Sequence, residues 1–209
     1  MDWNWLTAQN FRAIDRKISR NDYSPAQYEV IRRVIYATGD LDYRHIIAFS
    51  RQPLLAGLGA LLARTPIVVD SPIIQSALTP LLHHTFGNLV YAFEEIVSPL
   101  ASQKNNLLVN LIKGYPQAIY IIGQSQRALV SILELTEKSA IFQPSLVIAT
   151  HSGLVRKEII NSRLSQSFLP HIRIDSAKGG NDVAVAIFQA LIDLAWLSEG
   201  NYQLTMDNE

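Results

Sequence analysis

The chain has 209 residues and no cysteine, which excludes disulfides, thiolate metal sites and cysteine nucleophiles. Eighteen basic and 18 acidic side chains cancel, so nothing favours nucleic acid or a membrane surface as partner. Apolar residues make up 48% and charged residues 17%, which supports a substantial core and excludes disorder.

The opening MDWNWLTAQN lacks the basic region and continuous apolar run of a signal peptide. No run approaches the ~18 apolar residues of a membrane helix, and the chain reads as cytoplasmic. Length predicts one domain, with a mainly helical part over 1–65, an α/β core over 66–197 and a tail over 198–209.

Phe11, Ile14 and Ile18 share one helical face, with Thr7 or Asn10 as cap. Ser24-Pro25 is a strong helix start, a capping hydroxyl followed by proline at the first helical position. The helix Ala26–Thr38 turns Tyr28, Ile31, Val34 and Ile35 inward and ends at Gly39. On spacing alone, Tyr36 is an aromatic near that helix end with a wet hydroxyl. Leu41–Phe49 reads as helical, with Asp40 as cap, and Pro53–Arg64 as a small Leu/Ala/Gly-rich helix.

From here the grammar changes. Pro66–Asp70, PIVVD, is a short apolar run ending in an acid. Ser71–Asn88 is mixed, broken by Pro72 and Pro80, and Leu89–Ala92 reads as a short strand. Glu94-Glu95 is a solvated pair, Ser98-Pro99 a break, and Leu100–Lys113 a helix ended by Gly114 and Pro116. Ala118–Ile122 is an unbroken, β-branched-rich run, the signature of a strand buried on both faces of a parallel sheet. Gly123-Gln124-Ser125 is its turn, followed by a helix carrying Ala128, Leu129, Ile132, Leu133 and Leu135. Pro144–Thr150 is another strand, leading to His151-Ser152-Gly153 and a helical stretch from Leu154. His171–Asp175 leads to Lys178-Gly179-Gly180 and a long apolar helix, Val183–Leu197. The predicted class is therefore α/β, an open parallel sheet of about five strands flanked by helices, with an N-terminal helical segment.

Four strand ends carry small or polar residues: Asp70, Gly123 to Ser125, His151 to Gly153, and Lys178 to Gly180. Ligands of open α/β sheets bind at such carboxyl ends, so these loops define the candidate pocket. His151 reads either as ligand-facing or as a capping or core-edge histidine. Lys178-Gly179-Gly180 reads as an anion cradle, as a tight turn, or as both. Adjacent His83-His84 point different ways and have no carboxylate three or four residues on, so no metal site is expected. There is no Walker loop, no GxGxxG after a strand and no GxSxG elbow.

Taken in order, these stretches resemble the precorrin-8X methylmutase (precorrin isomerase) family of cobalamin biosynthesis, from about Ile14 to Leu197. Tyr28–Gly39, YEVIRRVIYATG, resembles the family's first long helix, and His45–Ser50 the segment after it. Pro66–Asp70 resembles the strand ending in Asp, and Ala118–Leu133 the strand and turn written IGNAPTAL. Ile148–Val155 stands where G-x-P-V-G-F-V is expected, and Lys178-Gly179-Gly180 where the family has a basic residue and paired glycines.

The resemblance implies a cytoplasmic homodimer with sites near the subunit interface. It also implies a methyl shift from C11 to C12 of a carboxylate-rich tetrapyrrole, precorrin-8X or cobalt-precorrin-8, giving hydrogenobyrinate without a cofactor. A histidine serves the family as general acid. That position is Tyr36 here, a phenol of reference pKa about 10 against about 6.5 for imidazole. The arginine expected within T-R-S-A is Gln103, P-V-G-F-V has become His151 to Val155, and the E-S-K that should follow is replaced by Ile159-Ile160-Asn161. The implied substrate-binding set is Asp70, Gln103, Gly123, Gln124, Ser125, Arg127, His151, Ser152, Gly153, Lys178, Gly179 and Gly180, with Tyr36 as donor. The alternative is a non-catalytic tetrapyrrole-binding homologue that has lost the catalytic histidine.

Overall fold

The computed structural model describes residues 5–93 and 114–199. Gln103, Glu94-Glu95, Ser98-Pro99, the helix predicted over Leu100–Lys113 and the tail from residue 200 lie outside the described residues.

In the N-terminal part, the second helix folds as its caps dictate and the first does not. Helix α1 spans Trp5–Asp15, so Thr7 and Asn10 lie inside it rather than capping it, and Asn10 donates to the Leu6 carbonyl. In α2 (Pro25–Thr38), Ser24 and Gln27 form a reciprocal capping box, and Gly39 closes the helix at φ 70°. Tyr28, Ile31, Val34 and Ile35 are all buried, as their spacing predicts.

Leu41–Phe49 departs from the helical expectation. Only Tyr43–Ile46 (α3) makes a helical turn, and Ile47–Phe49 then forms strand β1. The core strand β6 (His171–Ile174) would otherwise present an unpaired edge, and β1 pairs antiparallel to it, Ile47 opposite Ile174 and Phe49 opposite Ile172. Ser50 clamps the end of that ladder, its hydroxyl accepting from the His171 N–H. Helix α4 (Pro53–Leu62) follows, then strand β2 (Ile67–Val69).

Ser71–His84 holds one helix, α5 (Pro72–His83). Pro72 occupies the first turn, where a missing N–H is harmless, and the Ser71 hydroxyl caps the Ile73 N–H. Strand β3 (Val90–Ala92) matches the short strand predicted there. Strand β4 is Ile119–Ile122, helix α6 Gln126–Lys138, strand β5 Leu146–Ala149, helix α7 Lys157–Gln166 and helix α8 Asn181–Ser198.

The sheet order is β1-β6-β5-β4-β2-β3, parallel except for β1. Every residue of β2, β4 and β5 is buried, which explains their unbroken apolar sequences. Alternate side chains separate into two cores. Ile67, Val69, Ile119, Ile121 and Ile148 pack with α2, α4, α5 and α8; Val68, Tyr120, Ile122 and Val147 pack with α6 and α7. Helix α8, at 18 residues and mean hydropathy 1.3, has the length and composition of a membrane span, contrary to the sequence expectation. Here it is the central core helix, with Ile187, Phe188 and Leu191 fully buried.

Candidate active site at the strand ends

The carboxyl ends of β2, β4, β5 and β6 converge, and the sequence explains how each is held. Asp70 ends β2, and its buried carboxylate accepts from the turn after β4. One oxygen takes the Gly123 N–H at 2.8 Å, and the other takes Gln124 at 2.8 Å and Ser125 at 2.7 Å. Burial pushes this carboxyl up from its ordinary value, and the three backbone donors oppose that push. The amides that could have cradled an external anion are thus occupied from within. Ser125 then starts α6, its hydroxyl accepting from the Ala128 N–H. Of this loop, the Gln124 and Arg127 side chains remain exposed.

Glycine is required at two of these positions. A Cβ on Gly123 would stand 2.4 Å from the Asn181 side-chain oxygen and 2.7 Å from Ile74. A Cβ on Gly179, at φ 142°, would stand 2.0 Å from the Thr150 carbonyl oxygen. That close approach lets the loops after β5 and β6 interlock. The Gly180 N–H donates to the Thr150 carbonyl at 2.6 Å, the Thr150 hydroxyl to the Gly180 carbonyl at 2.9 Å, and the Gly153 N–H to the Ala177 carbonyl at 3.2 Å. Asn181, the first residue of α8, donates to the Ser71 hydroxyl and so joins the β6 loop to that of β2.

Lys178 does not face an open cradle. Its ammonium lies 2.6 Å from Asp40 and 2.8 Å from Asp42, just past the end of α2. Those hydrogen bonds raise the Lys178 pKa and lower that of Asp40. His151 is fully buried, and among the described residues neither ring nitrogen has a hydrogen-bond partner. Burial first, and the Lys157 charge second, push its pKa down to about 4, so the ring is neutral. In this structure it is a core-edge histidine. Ser152 beside it is exposed.

Tyr36 is 38% exposed and turned toward α1. Its ring centroid lies 5.0 Å from that of Phe11, and its hydroxyl lies 3.5 Å from the Thr7 hydroxyl. Among the described residues these contacts run to α1 rather than to the strand-end loops. Its link to the loops is indirect: Asp40, four residues on, is held by Lys178. His83 and His84 meet edge-on at 5.3 Å. Among the described residues no three His, Asp or Glu side chains come together in a way that could hold a metal.

Three structural residues escaped the sequence reading. Thr150 and Asn181 sit at the strand end and helix start flanking the loops already singled out, a positional signal. Lys157 carried no signal, yet its side chain is buried and its ammonium donates to the carbonyls of His151 at 2.5 Å and Lys178 at 2.8 Å. It borders a cleft of about 420 Å³ between α7 and the end of β6, also lined by Gly153, Leu154, Asn161, Arg173 and Asp175.

A family model described as Precorrin-8X methylmutase matches residues 6–194. A cobalt-precorrin-8 methylmutase of Synechocystis is 29% identical, over 91% of this chain and 95% of that protein. One from Leptospira interrogans is 31% identical, over 90% and 91%. A precorrin-8X methylmutase from Thermus thermophilus superposes at a TM-score of 0.80 with 29% identity, covering 91% of this chain and 95% of the other.

Proposed function

The chain belongs to the precorrin-8X methylmutase family, and on that premise we propose that it is an isomerase of cobalamin biosynthesis. It moves a methyl group from C11 to C12 of precorrin-8X or cobalt-precorrin-8, giving the hydrogenobyrinate skeleton. The bond to C11 breaks, the bond to C12 forms, and no atom or electron is gained or lost. Any cobalt belongs to the substrate. The observation that carries this reading is the family match over residues 6–194.

The chain's own residues have two tasks in such a shift: to hold a large macrocycle in one orientation, and to place a donor beside it. The interlocked loops form the floor, because Asp70, Thr150 and Lys157 bond backbone groups in each of them. Gln124, Ser125, Ser152 and the glycines at 123, 153, 179 and 180 line it. Arg127 and Lys178 take the peripheral carboxylates, Lys178 by exchanging them for Asp40 and Asp42. Tyr36 is the hydrogen-bond donor. The working form is a cytoplasmic homodimer with its sites near the subunit interface, and Gln103 belongs to the binding set.

Incubation with precorrin-8X and with cobalt-precorrin-8, followed by absorbance, tests the assignment. A product of unchanged mass with the methyl group on C12 is expected; full recovery of both substrates contradicts it. One observation favours a second reading, a tetrapyrrole binder without turnover: a phenol packed on α1 occupies the family's histidine position. That reading predicts binding of hydrogenobyrinate by a protein inert toward both substrates, with turnover appearing in Tyr36→His.

A further inference from the structure

Lys157 is an unusual residue to find buried, because a lone ammonium loses its hydration there. It sits in the first turn of α7, where the helix dipole disfavours a cation, and no carboxylate lies within ion-pair distance of it among the described residues. Its partners are two main-chain carbonyls, one from each of two adjacent strand-end loops. Those loops are otherwise joined by neutral hydrogen bonds, from Gly153 to Ala177 and between Gly180 and Thr150. We propose that Lys157 is a positioning residue, a buried amine whose N–H groups fix the β5 and β6 loops against one another through the His151 and Lys178 carbonyls, and so set the floor on which the macrocycle rests. The floor's role rests on the function proposed above; the stitching of the loops does not.

The charge environment gives the proposal a pH signature. Burial lowers the Lys157 pKa to about 8, with Asp175 opposing. Asp175, Glu158 and Arg173 line the cleft beside it; His151 is already neutral, and the Lys178 ammonium is held charged by Asp40 and Asp42. The Tyr43 phenol, close to Gly179, is raised above its ordinary value. Opening the loops returns Lys157 to water and to an ordinary pKa near 10.5, so opening takes up a proton in this window. Loop opening therefore becomes harder, not easier, as pH rises from about 8 to about 10.

Amide exchange read residue by residue by magnetisation-transfer NMR on the full chain tests this. In Lys157→Met at neutral pH, the Gly153 and Gly180 amides exchange roughly tenfold faster, the size of one lost charge-assisted hydrogen bond. The β4 and β5 amides keep their protection. Lys157→Arg restores part of the loop protection. In the wild type, protection of Gly153 and Gly180, corrected for intrinsic rate, rises with pH above 8. Unchanged Gly153 and Gly180 exchange in Lys157→Met, or flat or falling wild-type protection over that range, overturns the proposal. If Lys157→Met does not fold, the wild-type pH series decides alone. Hydrogenobyrinate affinity, measured in parallel, should fall in Lys157→Met and recover in part in Lys157→Arg. Failure of the wild type to bind it would contradict the functional reading and leave the exchange result standing.

Discussion

The Lys178 ammonium reaches the carboxylate of Asp40, 138 residues earlier in the chain, at 2.6 Å. This contact, shared with Asp42, ties the end of the helix that carries Tyr36 to the turn that opens α8. The Asp40 pKa is lowered, so its contribution is fully present above the ordinary carboxylate range and is lost only as pH falls below it. The Lys178 pKa is raised, so its contribution is lost only in strong alkali. The latch is therefore intact across the neutral range. Lys178→Ala should melt close to the wild type, because the pair is exposed. It should bind hydrogenobyrinate several-fold more weakly, with a shallower dependence on salt. Unchanged affinity and salt dependence would remove Lys178 from the carboxylate-binding set.

Asp70 is expected to matter through the backbone. Asp70→Asn keeps the shape but replaces one acceptor oxygen by a donor facing N–H groups. The expected loss is about 2–4 kcal/mol, from breaking charge-assisted bonds and stranding buried donors. Thermal or urea unfolding reads this directly, and a loss well below 1 kcal/mol would show that the carboxylate is not what holds the 123–125 turn.

Two glycines with positive φ should respond differently. At Gly39 nothing stands within 4 Å of an added Cβ, so Gly39→Ala carries only the left-handed backbone penalty of about 1–2 kcal/mol. At Gly179 the same methyl group meets the Thr150 carbonyl oxygen at 2.0 Å. Gly179→Ala should cost about 3 kcal/mol or more, or prevent folding, because backbone must move. Paired melting curves compare them; equal losses would contradict the interlocked geometry.

His151 predicts how stability falls in acid. Its folded pKa of about 4 lies below the ordinary 6.5, so the unfolded chain binds the extra proton and stability declines as pH drops between those values. The loss is ~3 kcal/mol for His151 by this arithmetic. His171, also buried and lowered chiefly by burial, adds a loss of the same sign. His151→Phe should flatten the curve from pH 6.5 to 4. An unchanged slope would show that other groups carry the acid sensitivity.

Much of this architecture can be read from the chain. Strands β4 and β5 announce themselves because burial on both faces demands unbroken apolar runs. Ser24, Pro25 and Gly39 mark α2 because caps and left-handed closures have strong residue preferences. The misses have physical causes. Strand β1 is three residues long, too short for periodicity, and exists only because β6 offers it an edge. Helix α5 is hidden by Pro72 and Pro80: Pro72 is harmless because it occupies the first turn, whereas Pro80 lies inside the helix, where proline ordinarily signals a break. The strand-end loops are legible as a place, since their glycines and Asp70 stand at predictable positions. What fills them is not. That Asp70 occupies the 123–125 amides, Lys178 turns to Asp40 and Tyr36 rests on Phe11 depends on partners 25 to 138 residues away.

The central claim is that the four strand-end loops hold a tetrapyrrole. Its most direct test is titration of the purified protein with hydrogenobyrinic acid, followed by absorbance. The account predicts a saturable spectral shift at micromolar ligand, weakened in Lys178→Ala. No shift at high micromolar concentrations would contradict it, for the enzyme and for the non-catalytic binder alike.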